Sequence, residues 1–204
     1  MDDYLKNPGE ITALLHQWEA GDHTAMDQLA TLLDTTLKGI AHNRNKDFPG
    51  WWDTTELLDE AFVNLLSGQA VPLESRKHFF NLVSNVIYHI LIDEVRKQRA
   101  RRHGHGLNRE DLDENQIKID NKLEMALAVH EALAMLKKKD SLTADVVIQR
   151  FFFGHSIEKT AEVLEIPVIQ VNRRWKFAKA WLFEHLGEPL KNSLITELST
   201  REKN

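Results

Sequence analysis

Gln170, Asn172, Arg173, Arg174 and Lys176 fall within seven residues, just after Pro167 and around Trp175. Amide and guanidinium groups at the start of a helix can pair with base edges in a DNA major groove, and cations farther along meet phosphates. A second cluster, Arg96, Lys97, Arg99, Arg101 and Arg102, puts five cations into seven residues. It ends a long amphipathic stretch. Cations near a helix C-terminus are favourable, but five exceed that need, and a nucleic-acid backbone is their natural counterion. Phosphate contacts position a protein without reading sequence. Base selection beside this cluster is therefore assigned to Asn81, Asn85 and His89 on the same helix.

Other chemistries lack a foothold. The chain has no cysteine, which excludes disulfides, thiolate zinc sites and cysteine nucleophiles. Its ten histidines include the pair His103-Gly104-His105, but no HExxH spacing accompanies them, so no metal site is expected. No Gly-rich phosphate loop or nucleophile elbow occurs. The expectation is a protein without cofactor or enzymatic activity. Trp51, Trp52, Phe79 and Phe80 are read as packing residues, and Asp93, three residues before Arg96, as its internal salt-bridge partner.

The overall charge of −5 at first argues against nucleic acid. Its distribution reverses that inference, because binding depends on local patches. Residues 1–68 carry −8, residues 69–107 carry +4, residues 108–145 carry −3 and residues 146–187 carry +2. No run approaches 18 apolar residues, so no membrane span is expected. The start Met-Asp-Asp-Tyr-Leu-Lys lacks the pattern of a secretory leader. Together with the absence of cysteine, this suits a cytoplasmic protein.

The elements that must position these clusters are helices; strand-like alternation is nearly absent. Pro8 opens a short helix carrying Ile11, Leu14, Leu15 and Trp18, closed at Gly21, and Asp22 can cap the next. Asp53-Thr54-Thr55-Glu56 starts another, closed at Gly68. Ser75 is placed to cap the long basic helix, which stops at His103-Gly104. Residues 107–121 are polar, acidic and weakly periodic, the best linker in the chain. Helices resume around Lys122–Lys138, Thr143–Phe153, Ser156–Leu164 and Pro167–Leu186.

The last two form a helix-turn-helix pattern. Ala161 supplies the small residue where the helices cross, and Val171, ten residues later, packs back. Leu164 and Ile166 bracket the turn, and Pro167 suits a first helical position. Glu165 stands where the backbone usually turns left-handed, a conformation that costs a non-Gly residue roughly 1 kcal/mol. The expected fold is all-α: two small helical domains joined by an acidic linker, the second containing a helix-turn-helix.

The stretches Arg76-Lys-His-Phe-Phe-Asn-Leu-Val-Ser, Ile90 to Arg102, Val146 to Leu164 and Trp175 to Leu182 resemble bacterial sigma factors. The opening Ile11-Thr-Ala-Leu-Leu-His-Gln-Trp-Glu-Ala-Gly-Asp22 is similar to the usual start of the extracytoplasmic-function (ECF) group of the sigma-70 family. The resemblance spans residues 9–187. It implies a factor that directs core RNA polymerase to specific promoters and helps to open the DNA. It divides the chain into a region-2-like domain over 9–106, a linker over 107–121, a region-4-like domain over 122–187 and a tail over 188–204. Glu56, Leu57, Asp59, Glu60 and Phe62 match the segment that grips polymerase, although the family usually has Gln or His where Asp59 stands. The Arg76–Arg102 helix, with Asn81, Asn85, His89 and the five cations, matches the part that captures the unwound −10 element. Gln170, Asn172, Arg173, Arg174 and Lys176 match the reader of the −35 element.

The implied partners are core polymerase, promoter DNA and an anti-sigma factor. The chain departs from the family at Glu165 (often Gly), at Arg174 (often acidic or small) and at Leu73-Glu74, where a Trp is common. Two other readings fit parts of the sequence: a two-domain helix-turn-helix regulator acting without polymerase, and a helical adaptor with no DNA role.

Overall fold

The computed structural model of the chain describes residues 8–22, isolated positions between 24 and 38, 76–104 and 114–195 apart from 189 and 193. For residues 8–10, 19, 76–82, 103–104 and 115–116 it describes the backbone alone. Every regular element among the described residues is a helix. The chain divides into two compact units, residues 1–90 with 162–165 and residues 91–161 with 166–204.

In the first unit, helix α1 (Pro8–Glu19) buries Ile11, Leu14 and Leu15, the i, i+3, i+4 spacing of one helical face. It closes as the sequence predicts. Gly21 takes φ +94°, the Gly21 N–H donates to Trp18 O and the Asp22 N–H to Gln17 O. These are the paired bonds of a Schellman motif, and its left-handed residue is a glycine. Asp22 Oδ1 then accepts from the Thr24 N–H at 2.8 Å, as a capping residue does. The cap at Asp53, the helix it starts, Ser75, Trp51 and Trp52 lie outside the described residues.

Helix α2 (Arg76–Gly104) is 29 residues long. Val83, Ile87, Ile90, Leu91 and Val95 are buried along it, and its cationic end is exposed from Arg96 to Arg101 apart from the half-buried Gln98. Helix α3 (Glu114–Lys139) starts inside the segment read as a linker, eight residues before the expected Lys122. A Glu114–Lys118 ion pair at i, i+4 supports its first turn, and Asp120 in its second turn pairs with Arg102. Neither contact leaves an apolar period for the sequence to reveal.

Asp140 breaks the chain between α3 and helix α4 (Ser141–Val147), and its side chain accepts from the Thr143 N–H. The expected single helix over Thr143–Phe153 is interrupted. After α4 comes a π-helical turn, Ile148–Phe152, ending where Phe153 N–H donates to Ile148 O. Phe151, Phe152 and Phe153 are all buried. A straight α-helix spreads three successive residues over about 200°, which would aim one of them at solvent. Widening the turn and then reversing at Gly154, with φ +67°, brings all three inside.

Helix α5 (Ile157–Leu164) and helix α6 (Val168–His185) follow. Ser156 Oγ caps α5 by accepting from the Lys159 N–H at 3.0 Å. Helix α6 buries Val171, Trp175, Ala178 and Leu182, an i, i+4, i+7, i+11 stripe, and α4 packs against both α3 and α6. No helix among the described residues is long and apolar enough to cross a membrane.

Candidate nucleic-acid interface

The turn between α5 and α6 fixes how α6 is presented. Ala161 and Val171 are both buried, at 7% and 0% exposure. Glu165 has φ 51°, the left-handed conformation expected there. Its N–H donates to Glu162 O, and the Ile166 N–H donates to Ala161 O, so a Schellman closure is built with Glu in the glycine position. Pro167 is the capping residue, with φ −57° and ψ 141°, one place before the expected first helical position. The extended ψ lets Pro167 O accept from Gln170 and Val171 while its missing N–H leaves nothing unpaired.

The cap and the buried stripe turn Gln170, Asn172, Arg173 and Lys176 outward, and all four are exposed. Asn172 Nδ2 donates back to Val168 O at 3.3 Å, which holds its amide along the helix surface. Arg174 is different. Its Nη1 donates to Asp140 Oδ1 at 2.9 Å, to Asp140 Oδ2 at 2.6 Å and to Thr143 Oγ1 at 2.8 Å. The guanidinium read as a fifth DNA contact is thus a half-buried tie from α6 to the start of α4. The Asp140-x-x-Thr143 cap spans three residues, whereas the Arg174 partner lies 34 residues away.

Burial raises the Asp140 carboxyl, yet the Thr143 N–H, the Thr143 hydroxyl and the Arg174 guanidinium together hold it below its ordinary 3.8. A carboxyl depressed in the folded state adds stability that is present above the unfolded value and lost as pH falls through the folded one. We therefore expect Asp140→Asn, which keeps a capping oxygen but loses the charge that faces Arg174, to melt lower than the parent chain at neutral pH, by up to about 1 kcal/mol, the worth of a partly exposed ion pair. The difference should shrink as pH drops below 3.8. Paired thermal melts at several pH values check this, and a difference unchanged down to pH about 2 would refute it.

Beneath α6 lies a polar group the sequence did not mark. Arg150 is buried, donates from Nη1 to His155 O and stands over the Trp175 ring at 5.5 Å. His155 Nδ1 lies 2.8 Å from Gln149 Oε1. The π-helical turn places Gln149 and Arg150 inside, and His155, just past Gly154, is buried beside them.

The second cationic cluster sits on α2. Arg96 pairs with Asp93 at 2.9 Å, as the spacing predicts, and its Nη2 lies 3.3 Å from His130 Nε2 on α3. Lys97 and Arg101 both lie near Glu94, at 3.8 and 3.9 Å, and Arg102 pairs with Asp120. Except at Arg102, these cations are more than half exposed wherever their pairs are given, so the pairs are individually weak and can exchange for phosphates. Arg99 is exposed beside Ala100 and Leu127 in a shallow concavity shared with Arg96. His89 is exposed and Asn85 half-buried, while the Asn81 side chain lies outside the description. Glu56, Leu57, Asp59, Glu60 and Phe62 also lie outside the described residues. Among the described residues, no group of three or more His, Asp or Glu is placed to hold a metal ion.

A protein-family model described as ECF sigma factor matches residues 8–188. No curated protein and no solved structure matches the chain.

Proposed function

Because the chain belongs to the ECF sigma factor family, and so directs core RNA polymerase to promoters in transcription initiation, we propose how its parts divide that work. Residues 122–187 act as the reader of the −35 element, with α6 in the major groove. The observation that carries this is the outward set Gln170, Asn172, Arg173 and Lys176 on a helix whose opposite stripe is buried. Arg174 supports the reader from behind, through Asp140 and Thr143.

Residues 9–106 form the polymerase-binding and −10 domain in this reading. Arg96, Lys97, Arg99, Arg101 and Arg102 meet the backbone of the opened DNA, and Asn81, Asn85 and His89 select bases. Glu56, Leu57, Asp59, Glu60 and Phe62 grip polymerase. Residues 107–121 carry the acidic connection, and residues 188–204 are a tail. The protein works in the cytoplasm, has no catalytic activity of its own, and has an anti-sigma factor as its regulator.

The experiment is reconstitution. Core polymerase loaded with this protein should select DNA from a random or genomic pool, and the enriched sequence should support run-off transcription only with the protein present. Core polymerase that neither binds the protein nor selects a sequence would overturn the reading. Tight duplex binding by the protein alone, with no effect on polymerase, would favour the helix-turn-helix regulator instead.

A further inference from the structure

Ile169 is the most exposed large hydrophobic residue among those described, at 77%. It is the second residue of α6 and stands at the i, i+3, i+4, i+7 spacing with Asn172, Arg173 and Lys176. Those four share one face, turned away from the stripe of Val171, Trp175, Ala178 and Leu182. An exposed apolar side chain at the N-terminal end of a polar, cationic face gains nothing from the helix it sits on. The exposed aromatic residues of α6 have partners of their own. Phe177 leans toward the Trp181 ring at 6.3 Å, and Lys191 Nζ stands over Phe183 at 5.2 Å.

We infer that Ile169 contacts a thymine methyl group in the major groove of the −35 element, and so is a specificity-determining residue. The inference rests on the proposed seating of α6 in that groove. In the major groove the apolar feature among the four base pairs is the thymine C5-methyl. The neighbouring amides point the same way. Asn and Gln pair most naturally with adenine N6 and N7, and every A·T pair carries a thymine methyl in the same groove. A face carrying Ile169 and Asn172, flanked by the exposed Gln170, therefore suits an A·T-containing site, with the amides on adenine and the isoleucine on a thymine. Arg173 and Lys176 supply the phosphate attraction that brings the face down.

The test uses the promoter recovered by the reconstitution above and polymerase carrying the full chain. Each thymine of the −35 element is replaced in turn by uracil, which removes the methyl and keeps every hydrogen-bonding group. Holoenzyme affinity for each duplex is measured for the parent chain and for Ile169→Ala. At one or two positions, uracil should weaken the parent about fourfold, the worth of one buried methyl. Ile169→Ala should bind the thymine promoter about as weakly as the parent binds the uracil one, and should be insensitive to the exchange. Uracil that is harmless to the parent at every position, or equally harmful to Ile169→Ala, overturns the inference. Arg173→Ala with Lys176→Ala serves as the control. If that pair leaves promoter affinity intact, the seating of α6 itself fails and the inference falls with it; if the pair weakens binding and the uracil exchange does not, only the role of Ile169 is refuted.

Discussion

Charge reversal of Arg173 and Lys176 to Glu should abolish promoter-directed transcription, with a fall of about two orders of magnitude or more, while the protein still co-purifies with core polymerase. Each contact from such a residue is worth about 1–3 kcal/mol, so losing two costs roughly thirtyfold to ten-thousandfold, and the repulsion of two added carboxylates from phosphate deepens the loss. The fold should survive, because both side chains are exposed and neither belongs to the Val171–Leu182 stripe. The neutral pair Arg173→Ala and Lys176→Ala gives the finer readout. The dependence of log affinity on log salt should become shallower by about one unit per phosphate contact removed. Arg174→Ala should behave otherwise. Its guanidinium is held by Asp140 and Thr143, so the change should lower thermal stability and leave the salt slope unchanged. A salt slope that falls equally for Arg173 and Arg174 would place both on DNA and contradict the geometry.

Trp175→Ala should be the most destabilising single change in the second unit, by about 3–5 kcal/mol. Trp175 is 3% exposed and stands between the Val171 and Ala178 turns of α6, with the buried Arg150 guanidinium against its ring. Truncation opens a cavity and also removes the aromatic face that covers a buried cation. A small helical domain has only about 5–15 kcal/mol of stability to lose. The melting temperature of this part of the protein should fall by roughly 12 °C or more. Trp175→Phe is the contrasting variant. The indole N–H is buried and has no protein acceptor, so losing it leaves no partner stranded, and the ring over Arg150 is kept. Thermal melts should therefore rank Phe far closer to Trp than Ala. If Ala costs less than about 1 kcal/mol, Trp175 is not the keystone between α6 and the π-helical turn.

Much of the fold was legible where the determining contacts are local. The Gly21 closure of α1, the Asp22 and Ser156 caps, the Asp93–Arg96 pair and the left-handed turn at Glu165 all span a few residues. Their geometry follows from residue type and spacing alone. Ala161 and Val171 were also legible, because a helix-turn-helix crossing fixes their separation in sequence. The outward face of α6, Ile169 included, follows from the buried period. The i, i+3, i+4, i+7 spacing that joins it to Asn172, Arg173 and Lys176 was already present in the sequence.

The remainder depended on residues brought together from a distance. Arg174 looked like a fifth reader because its neighbours are polar and exposed, yet Asp140, 34 positions earlier, holds it. Arg102 and Asp120 lie 18 positions apart, and their pairing lies beside a helix start that no apolar period announced. Gln149 and Arg150 are polar residues buried within a π-helical turn, a geometry that no α-period in the sequence announces. By itself the sequence determined an all-helical protein, the closure of α1, the turn between α5 and α6 and where cations crowd along the chain, since each of these is set by neighbours a few residues apart. Which of those cations remain exposed and which are spent inside the protein was decided only by tertiary structure, because an ion pair between helices is fixed by how the helices pack and leaves no period in the chain.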